Sequence, residues 1–317
     1  MRVAILDDYQ RVAFASADWS AVRERADVTA YADHVADEAA LAERLRDAEI
    51  VVAMRERTPF PRTLFDRLPN LRLLITTGTR NQSFDMDAAR DHEVTVCGTG
   101  GLGFPTAELT WGLILALARR IPTENAAIRA GRWQVTLGDG LNGKTLGVIG
   151  LGRIGGQVAT IGNAFGMSVL AWSPNLTRAR TDELGVTLAA SREELLERSD
   201  VVTIHLVLSS RSAGLIGAKA LACMRPSAYL VNTSRGPIVD EAALIDALRT
   251  KAIAGAGLDV FDEEPLPAGH PLIGLDNVVL TPHLGYVVKE SYAIYYRDAV
   301  ENILSFLNGA PVRAIVG

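Results

Sequence analysis

Short apolar runs alternate with amphipathic helical patterns along almost the whole chain. In the first half the apolar runs are RVAIL, VTAY, EIVVAM, LRLLITT and VTVCG. From Lys144 onward they are TLGVI, MSVLAW, VVTIHL, AYLVNT, AGAGLDVF and NVVLTPH. Near-continuous apolar strands separated by helices are typical of parallel sheets with helices on both faces. The alternation therefore predicts an α/β protein with two doubly wound parallel sheets.

A glycine-rich segment, GTGGLGFPTAE, lies between the two series of strands. Glycine and proline at this density are typical of a hinge or crossover. The 317 residues are enough for two domains. A long apolar helix and a polar connection follow the hinge, and a last helix from about Lys289 to Leu307 is placed to fold back onto the first domain.

Composition excludes several classes of protein. The formal charge of −5 is not the basic balance that is typical of proteins that bind nucleic acid or an anionic membrane. No apolar run reaches the roughly 18 residues of a membrane span, and the N-terminal run is too short for a signal peptide. Cys97 and Cys223 lie in apolar surroundings without zinc-site spacing, so we expect two buried, reduced thiols and no metal. These features favour a cytoplasmic protein.

A glycine motif follows the strand TLGVI. Gly150, Gly152 and Gly155 stand in G-x-G-x-x-G spacing, and a helical pattern comes next. The first glycine permits a tight turn, the second lets the backbone approach a pyrophosphate, and the third lets the helix pack against the strand. The N–H groups at the helix N-terminus then face the anion. The motif predicts a dinucleotide site; a turn that serves only packing and a methyltransferase-type nucleotide loop are the alternatives.

The end of the next strand bears on the choice of cofactor. An NAD site usually has Asp or Glu there, about 20 residues after the motif, to hold the ribose 2′-hydroxyl. Here Ser173 takes that place, and Arg178 and Arg180 follow closely. Without a carboxylate a 2′-phosphate is not repelled, and either arginine could reach it. The sequence leaves NAD and NADP open and favours NADP.

Three polar residues follow three further strands. Arg235 stands in VNTSRGPIVD, Glu264 in GLDVFDEEPLP and His283 in TPHLG. The carboxyl ends of parallel strands meet at one edge of a sheet, so the three should converge there. Arginine grips a carboxylate with two parallel hydrogen bonds, histidine exchanges protons near neutral pH, and a carboxylate beside the imidazole orients it. The set suits hydride transfer between a 2-oxo acid and a 2-hydroxy acid.

The same motifs resemble those of the D-isomer-specific 2-hydroxyacid dehydrogenases, which include phosphoglycerate dehydrogenases, glyoxylate/hydroxypyruvate reductases and D-lactate dehydrogenases. The resemblance covers nearly the whole chain and is strongest from about Gly143 to Gly285. It implies NAD(P)-dependent interconversion of a 2-oxo acid and its D-2-hydroxy acid. It also implies a Rossmann NAD(P)-binding domain (100–285) inserted in a flavodoxin-like substrate domain (1–99 plus 286–317). A homodimer built on the helix and arm at about 104–142 is implied as well.

The resemblance assigns roles residue by residue. Arg235 binds the substrate carboxylate, His283 is the acid/base, and Glu264 is chosen over Glu263 because it directly precedes proline. The implied cofactor contacts are Gly150, Gly152, Arg153, Ile154, Gly155, Ser173, Thr233, Asp259 (to the nicotinamide carboxamide) and Gly285. The implied substrate contacts are Arg55, Gly78, Thr79, Arg80 and Arg235.

The chain departs from the family pattern near the substrate. Many relatives have a G-x-G-x-D-N loop after the fourth strand, whereas this chain reads TTGTRNQSFD. Arg80 could face the cleft and select a second anionic group, or it could point outward and pair with Asp85 or Glu56. Tyr286 follows His283 where relatives often have small residues. A nucleotide-sensing corepressor on the same fold, which needs no turnover, is the alternative to an enzyme.

Overall fold

Two parallel sheets organise the part of the chain that the computed structural model describes, residues 1–315. The strands, in chain order, are β1 (Arg2–Ile5), β2 (Asp27–Ala30), β3 (Ile50–Ala53), β4 (Leu73–Thr76), β5 (Thr95–Cys97), β6 (Thr145–Ile149), β7 (Ser168–Trp172), β8 (Thr187–Leu188), β9 (Val201–Ile204), β10 (Tyr229–Asn232), β11 (Gly255–Leu258) and β12 (Val278–Leu280).

Helices connect the strands throughout. They are α1 (Ala13–Ser16), α2 (Ser20–Arg23), α3 (Glu38–Leu45), α4 (Arg62–Phe65), α5 (Met86–Asp91), α6 (Pro105–Ala118), α7 (Ile121–Arg129), α8 (Arg153–Ala164), α9 (Arg178–Glu183), α10 (Arg192–Arg198), α11 (Ala218–Ala222), α12 (Glu241–Arg249) and α13 (Lys289–Leu307). Two short 3₁₀ turns span Gly236–Ile238 and Pro271–Gly274.

The chain divides into two compact units. The first comprises Met1–Leu102 and the chain from Val287 on, and the second comprises Gly103–Tyr286. The sheet of the first unit has the order β2-β1-β3-β4-β5, and all its strand pairs are parallel. The strand order reverses between β1 and β3, the position where open α/β sheets bind ligands. This is the flavodoxin-like order.

The sheet of the second unit has the order β12-β11-β10-β9-β6-β7-β8, again all parallel. Read from β8 the order is that of a Rossmann sheet, and its switch point lies between β6 and β9. The predicted α/β class with two parallel sheets is confirmed. The edge strand β8 was not anticipated, because two residues are too few to show an alternating pattern.

Alternation along the second sheet separates two buried clusters. Leu170, Val202 and Leu230 belong to one cluster, while their sequence neighbours Val169, Val201 and Val231 belong to the other. Successive strand side chains point to opposite faces, so both faces of this sheet are covered. The near-continuous apolar runs in the sequence have this physical origin.

Polar residues begin several of the helices. The side chains of Asp37, Asp85, Thr177, Ser191 and Asp240 each accept a hydrogen bond from the backbone N–H three residues ahead. Ser191 and Glu194 have the spacing of a capping box. Ser191 Oγ accepts from Glu194 N at 3.0 Å, and the Glu194 carboxylate accepts from Ala190 N at 2.6 Å.

Both cysteines are free, but only Cys97 is fully buried; Cys223 is half-buried, contrary to expectation. Burial raises the pKa of the Cys97 thiol to about 11. Among the described helices, none has the length and apolar character needed to cross a membrane.

Candidate active site

The glycine turn after β6 is shaped by close packing. Gly150 has a left-handed φ of +98°, and a Cβ there would lie 2.6 Å from the carbonyl oxygen of His205. A Cβ on Gly155 would lie 2.0 Å from the carbonyl oxygen of Gly150. Side chains at these two positions would force the turn and helix α8 apart.

Gly152 differs from its two neighbours, because a Cβ on it would meet nothing within 4 Å. Gly152 is also the N-cap of α8, and no side chain caps this helix. The first N–H groups of a helix have no partner inside it, so those of Arg153, Ile154 and Gly155 remain available. An open backbone cradle at a helix N-terminus fits a pyrophosphate, and the site therefore fits a dinucleotide.

Two arginines, Arg178 and Arg180, lie on helix α9, which follows the end of β7. Ser173 is half-buried, and its carbonyl accepts from Leu176 N at 3.1 Å. Arg180 donates from Nε to the carbonyl of Leu151 in the glycine turn at 3.3 Å and from a terminal nitrogen to Glu183 at 2.7 Å. Arg178 is exposed on the first turn of α9. A guanidinium therefore lies against the glycine turn.

The turn after β10 presents Arg235. Buried Asn232 accepts from Ser234 N at 3.0 Å and donates to the carbonyl of Arg235 at 2.9 Å. One terminal nitrogen of Arg235 donates to the carbonyl of Ser234 at 2.7 Å. A Cβ on Gly236 would lie 2.1 Å from the carbonyl carbon of Phe261, so this turn is pressed against the loop that carries Glu264.

Glu264 joins the loop after β11 to the loop after β12. One carboxylate oxygen accepts from Phe261 N at 3.0 Å, and the other lies 2.6 Å from Nδ1 of His283. Desolvation acts to raise the pKa of Glu264, but the hydrogen bond and charge of His283, the Phe261 N–H and the charge of Arg235 outweigh it and lower the pKa below its ordinary value. The carboxylate is therefore ionised at neutral pH.

His283 is held in an unusual backbone conformation. Its φ of +54° is left-handed, and its N–H donates to the carbonyls of Asp259 at 2.9 Å and Thr281 at 3.0 Å. An ionised carboxylate only accepts hydrogen bonds, so Nδ1 carries the hydrogen that faces Glu264. Nε2 is then the nitrogen that can exchange a proton with a substrate. The ring of Tyr286 meets the imidazole edge-on, with centroids 5.5 Å apart.

The predicted trio is thus brought together in the second unit, at the carboxyl ends of three neighbouring strands. Its geometry offers a cation, an imidazole held through Nδ1 and an ionised partner for that imidazole. Within residues 1–315, no group of three or more His, Cys, Asp or Glu side chains is arranged to hold a metal ion.

Comparisons with known proteins identify the family of this chain. The family model described as D-isomer specific 2-hydroxyacid dehydrogenase, NAD binding domain, matches residues 111–285. The glyoxylate reductase of Aeropyrum pernix is 42% identical over 256 residues, which are 78% of this chain and 76% of that protein. The chain belongs to the D-isomer specific 2-hydroxyacid dehydrogenases.

Two further relatives show the extent of the match. The D-3-phosphoglycerate dehydrogenase of Methanocaldococcus jannaschii is 36% identical over 87% of this chain, and this chain spans about half (53%) of that longer protein. The solved phosphoglycerate oxidoreductase from Vibrio cholerae o395 is 40% identical with a TM-score of 0.93, covering 98% of this chain and 100% of that one.

The predicted function class is confirmed: the chain is an NAD(P)-dependent oxidoreductase of the 2-hydroxyacid dehydrogenase type. The comparisons give the corepressor alternative no support.

In this dehydrogenase, Asp259 organises the loop that bears His283. Asp259 is fully buried, and its carboxylate accepts from Thr281 Oγ1 at 2.6 Å, Leu284 N at 2.7 Å and Gly285 N at 2.9 Å. Burial raises the pKa of Asp259 above its ordinary value, although these three donors and the charge of His283 act to lower it. Its contact with nicotinamide stays a prediction.

Two more predicted cofactor residues lie close to helix α6. Buried Thr233 shares a hydrogen bond of 2.8 Å with Thr110, and the carbonyl of Gly285 accepts from Thr106 at 2.9 Å. The dehydrogenase therefore fixes both loops that flank the trio to the same helix.

The predicted substrate residues of the first unit have mixed surroundings. Arg55 has a left-handed φ of +53°, and its N–H donates to Thr77 Oγ1 at 3.0 Å. Gly78 has a left-handed φ of +103°, which favours glycine, and a Cβ there would lie 2.0 Å from a terminal nitrogen of Arg55 unless that flexible side chain moved. Thr79 and Arg80 are exposed.

The two acids considered as outward partners of Arg80 both contact other groups. Glu56 pairs instead with Arg55 at 3.7 Å, and the Asp85 side chain caps α5 by accepting from Ala88 N at 2.8 Å.

Sequence reasoning missed the residues that hold the site in place. Asn232, Thr281 and Thr106 have no catalytic chemistry of their own, so no motif rule selected them. The one available signal was position: Asn232 is a polar residue at the end of an otherwise apolar strand, directly before the turn that carries Arg235.

Substitution of two motif glycines by alanine should separate packing from cofactor binding. Gly152→Ala should leave the free energy of unfolding within about 0.5 kcal/mol of the parent. It should weaken NAD(P)H binding by about tenfold or more, because the methyl group fills the cradle and costs a charge-assisted hydrogen bond. Gly155→Ala should instead destabilise the fold by about 1–3 kcal/mol. Denaturant unfolding and fluorescence titration with NADPH measure both effects; equal destabilisation by the two variants would contradict the assignment.

The ionised state of Glu264 predicts a pH-dependent contribution to stability. Its pKa is lower in the folded protein than its ordinary value of 4.5, so the contribution is present above about pH 4.5 and is lost as the pH falls through the folded value. The stability difference between the parent and Glu264→Gln should therefore shrink in acid. Urea unfolding from pH 7 downward measures it, with Glu263→Gln, an exposed neighbour, as the matched control. A difference that grows in acid would refute the assignment.

Proposed function

We propose that His283 is the proton donor, Arg235 the carboxylate anchor and Glu264 the residue that orients the imidazole in reduction of a 2-oxo acid to its D-2-hydroxy acid. The observation that carries the proposal is the 2.6 Å hydrogen bond between Glu264 and Nδ1 of His283, which leaves Nε2 for the substrate. Bound NAD(P)H supplies the hydride. As the carbonyl carbon gains it, Nε2 of His283 gives a proton to the carbonyl oxygen.

The chemistry requires each of the three residues. Charge develops on the carbonyl oxygen during hydride transfer, and an imidazolium within hydrogen-bond reach removes it by proton transfer. Arg235 fixes the carboxylate and so orients the adjacent carbonyl. Glu264 holds Nδ1 and so orients the imidazole, and in the reverse reaction Nε2 of His283 accepts the proton from the hydroxyl group.

The cofactor contacts we propose are the pyrophosphate cradle of Gly150, Gly152, Arg153, Ile154 and Gly155, and the outer contacts Ser173, Thr233, Asp259 and Gly285. The open space over Gly152 and the uncapped start of α8 support the cradle.

We also propose that the two units bind different molecules. The second unit, with its Rossmann strand order, binds the cofactor, and the first is the substrate domain that contributes Arg55, Gly78, Thr79 and Arg80. The left-handed conformation of Arg55 at the carboxyl end of β3 supports a functional role, since such strain persists where the surrounding structure imposes it. Glyoxylate and hydroxypyruvate are the first substrates to test, because the chain is similar to a glyoxylate reductase and a hydroxypyruvate reductase.

We propose a homodimer through helix α7 and the arm that follows it. Apolar side chains are exposed there, among them Leu137 at 95%, Trp133 at 74% and Ile128 at 54%. Ile128 and Trp133 line a surface groove of about 520 Å³. An apolar surface of this kind on one unit suits burial against a second copy of the chain.

Two free cysteines without a disulfide favour a cytoplasmic location.

Replacement of His283 tests the catalytic assignment. His283→Ala should lower kcat for glyoxylate by about 10²- to 10⁴-fold, the usual worth of a positioned proton donor. The dissociation constant of NADPH should change little. Absorbance decay of NADPH gives kcat, and His270→Ala, which removes a histidine paired with Glu241 in the same unit, is the matched control. Parallel losses of turnover and cofactor binding would rule out the proton-transfer role.

We propose a preference for NADP over NAD, set by Ser173 and by the guanidinium of Arg180 beside the glycine turn. Arg180→Ala should raise KM for NADPH by about tenfold, the worth of one charge-assisted contact, and leave KM for NADH nearly unchanged. Arg192→Ala, which removes a guanidinium bonded to the carbonyl of Leu215, is the control. A parent enzyme that uses NADH better than NADPH would refute the preference without affecting the reaction class.

A further inference from the structure

We infer that Asn232 is a positioning residue for substrate binding: its side-chain amide closes the turn after β10 and thereby fixes the direction in which Arg235 meets the substrate carboxylate. The inference rests on the proposed function of Arg235. It deepens that function by naming the residue on which the affinity for the 2-oxo acid depends.

Both polar atoms of the Asn232 side-chain amide make hydrogen bonds. Its oxygen accepts from Ser234 N at 3.0 Å, and its nitrogen donates to the carbonyl of Arg235 at 2.9 Å. The two bonds close rings over the segment from Asn232 to Arg235, so the amide stands in for backbone hydrogen bonds that the turn lacks. An amide offers a donor and an acceptor at that spacing, whereas an ionised carboxylate only accepts.

Burial makes these bonds strong constraints. Asn232 is only 1% exposed, so an unpaired amide there would lose hydrogen bonds that water could not replace. Its backbone is fixed as well, because the last residue of β10 pairs with Leu258 of β11 and its carbonyl accepts from Asp259 N at 3.0 Å. Asn232 therefore transmits the rigidity of the sheet to the turn.

Other contacts also restrain this turn. Ser234 Oγ donates to the carbonyl of Leu206, and Gly236 is packed against Phe261. These contacts hold the residues before and after Arg235. The carbonyl of Arg235 itself accepts from the buried amide of Asn232 at 2.9 Å and from Ile238 N at 3.3 Å. Loss of the shorter bond, from Asn232, loosens the peptide that directs the guanidinium. A bidentate contact with a carboxylate depends on that direction, because both hydrogen bonds must align together.

Two variants of Asn232 separate the two hydrogen bonds that its amide makes. Asn232→Asp keeps an acceptor for Ser234 N but loses the donor to the carbonyl of Arg235, and Asn232→Leu loses both. For Asn232→Leu we expect KM for glyoxylate to rise about tenfold, and for Asn232→Asp about threefold, as expected for lost buried hydrogen bonds. The dissociation constant of NADPH should stay within about twofold, because the cradle at Gly152 is not altered.

A double-mutant cycle between Asn232 and Arg235 separates a positioning role from a merely structural one, because only a positioning role makes the two effects on KM non-additive. Arg235→Lys keeps a positive charge but removes the planar fork, so the orientation of the turn no longer matters to a bidentate contact. In that background Asn232→Leu should change KM by less than about twofold, whereas independent effects would multiply in full. Asn277→Asp is the matched control, since Asn277 donates to the carbonyl of Leu248 at 3.2 Å in the same unit.

Each outcome decides the inference. A raised KM with non-additivity at Arg235 supports it. A normal KM with loss of folded protein only, or a full multiplicative effect in the Arg235→Lys background, overturns it. If Asn232→Leu does not fold, Asn232→Asp decides by the same criteria. A parent enzyme that turns over glyoxylate or hydroxypyruvate while both variants keep its KM overturns the positioning role alone; a parent without turnover of either acid overturns the proposed function as well.

Discussion

Strand order is the constraint on which the site depends. β10, β11 and β12 are adjacent and parallel, so the residues that follow them emerge at one edge of one sheet. Arg235, Glu264 and His283 are far apart in sequence, and no local interaction could gather them. The sheet gathers them because each follows the carboxyl end of its own strand. The glycine turn after β6 emerges at the same edge, beside the switch point, which places cofactor and substrate chemistry together.

This constraint explains how much the sequence could reveal. Apolar runs indicate parallel strands, and polar residues directly after them indicate a shared edge, so Arg235, His283 and an acid of the loop after β11 could be selected from the sequence. The Glu264–His283 hydrogen bond follows from adjacency of β11 and β12. Which of three acids, Asp262, Glu263 or Glu264, would make the bond depends on the path of the loop, and sequence reasoning alone left that choice open; the family resemblance made it.

Other features were beyond sequence reasoning for physical reasons. The left-handed backbone of His283 is imposed by hydrogen bonds from its N–H to Asp259 and Thr281, which are distant or non-periodic contacts. The two-residue strand β8 is defined only by its pairing with β7. Asn232 acts through a turn whose geometry no propensity scale records. In each case tertiary partners decide the structure, and local pattern has no information about them.

Two carboxylates lie close to His283, and they differ in burial, in pKa and in the groups that they bind. Asp259 is fully enclosed, its pKa is raised by burial, and its donors all lie on the segment from Thr281 to Gly285. Glu264 is 31% exposed, its pKa is lowered, and it faces the imidazole itself. A buried carboxylate satisfied by one hydroxyl and two backbone N–H donors fixes a loop, whereas an ionised carboxylate bonded to an imidazole orients that ring. Asp259 therefore holds the loop that carries His283, whereas Glu264 holds the imidazole ring itself.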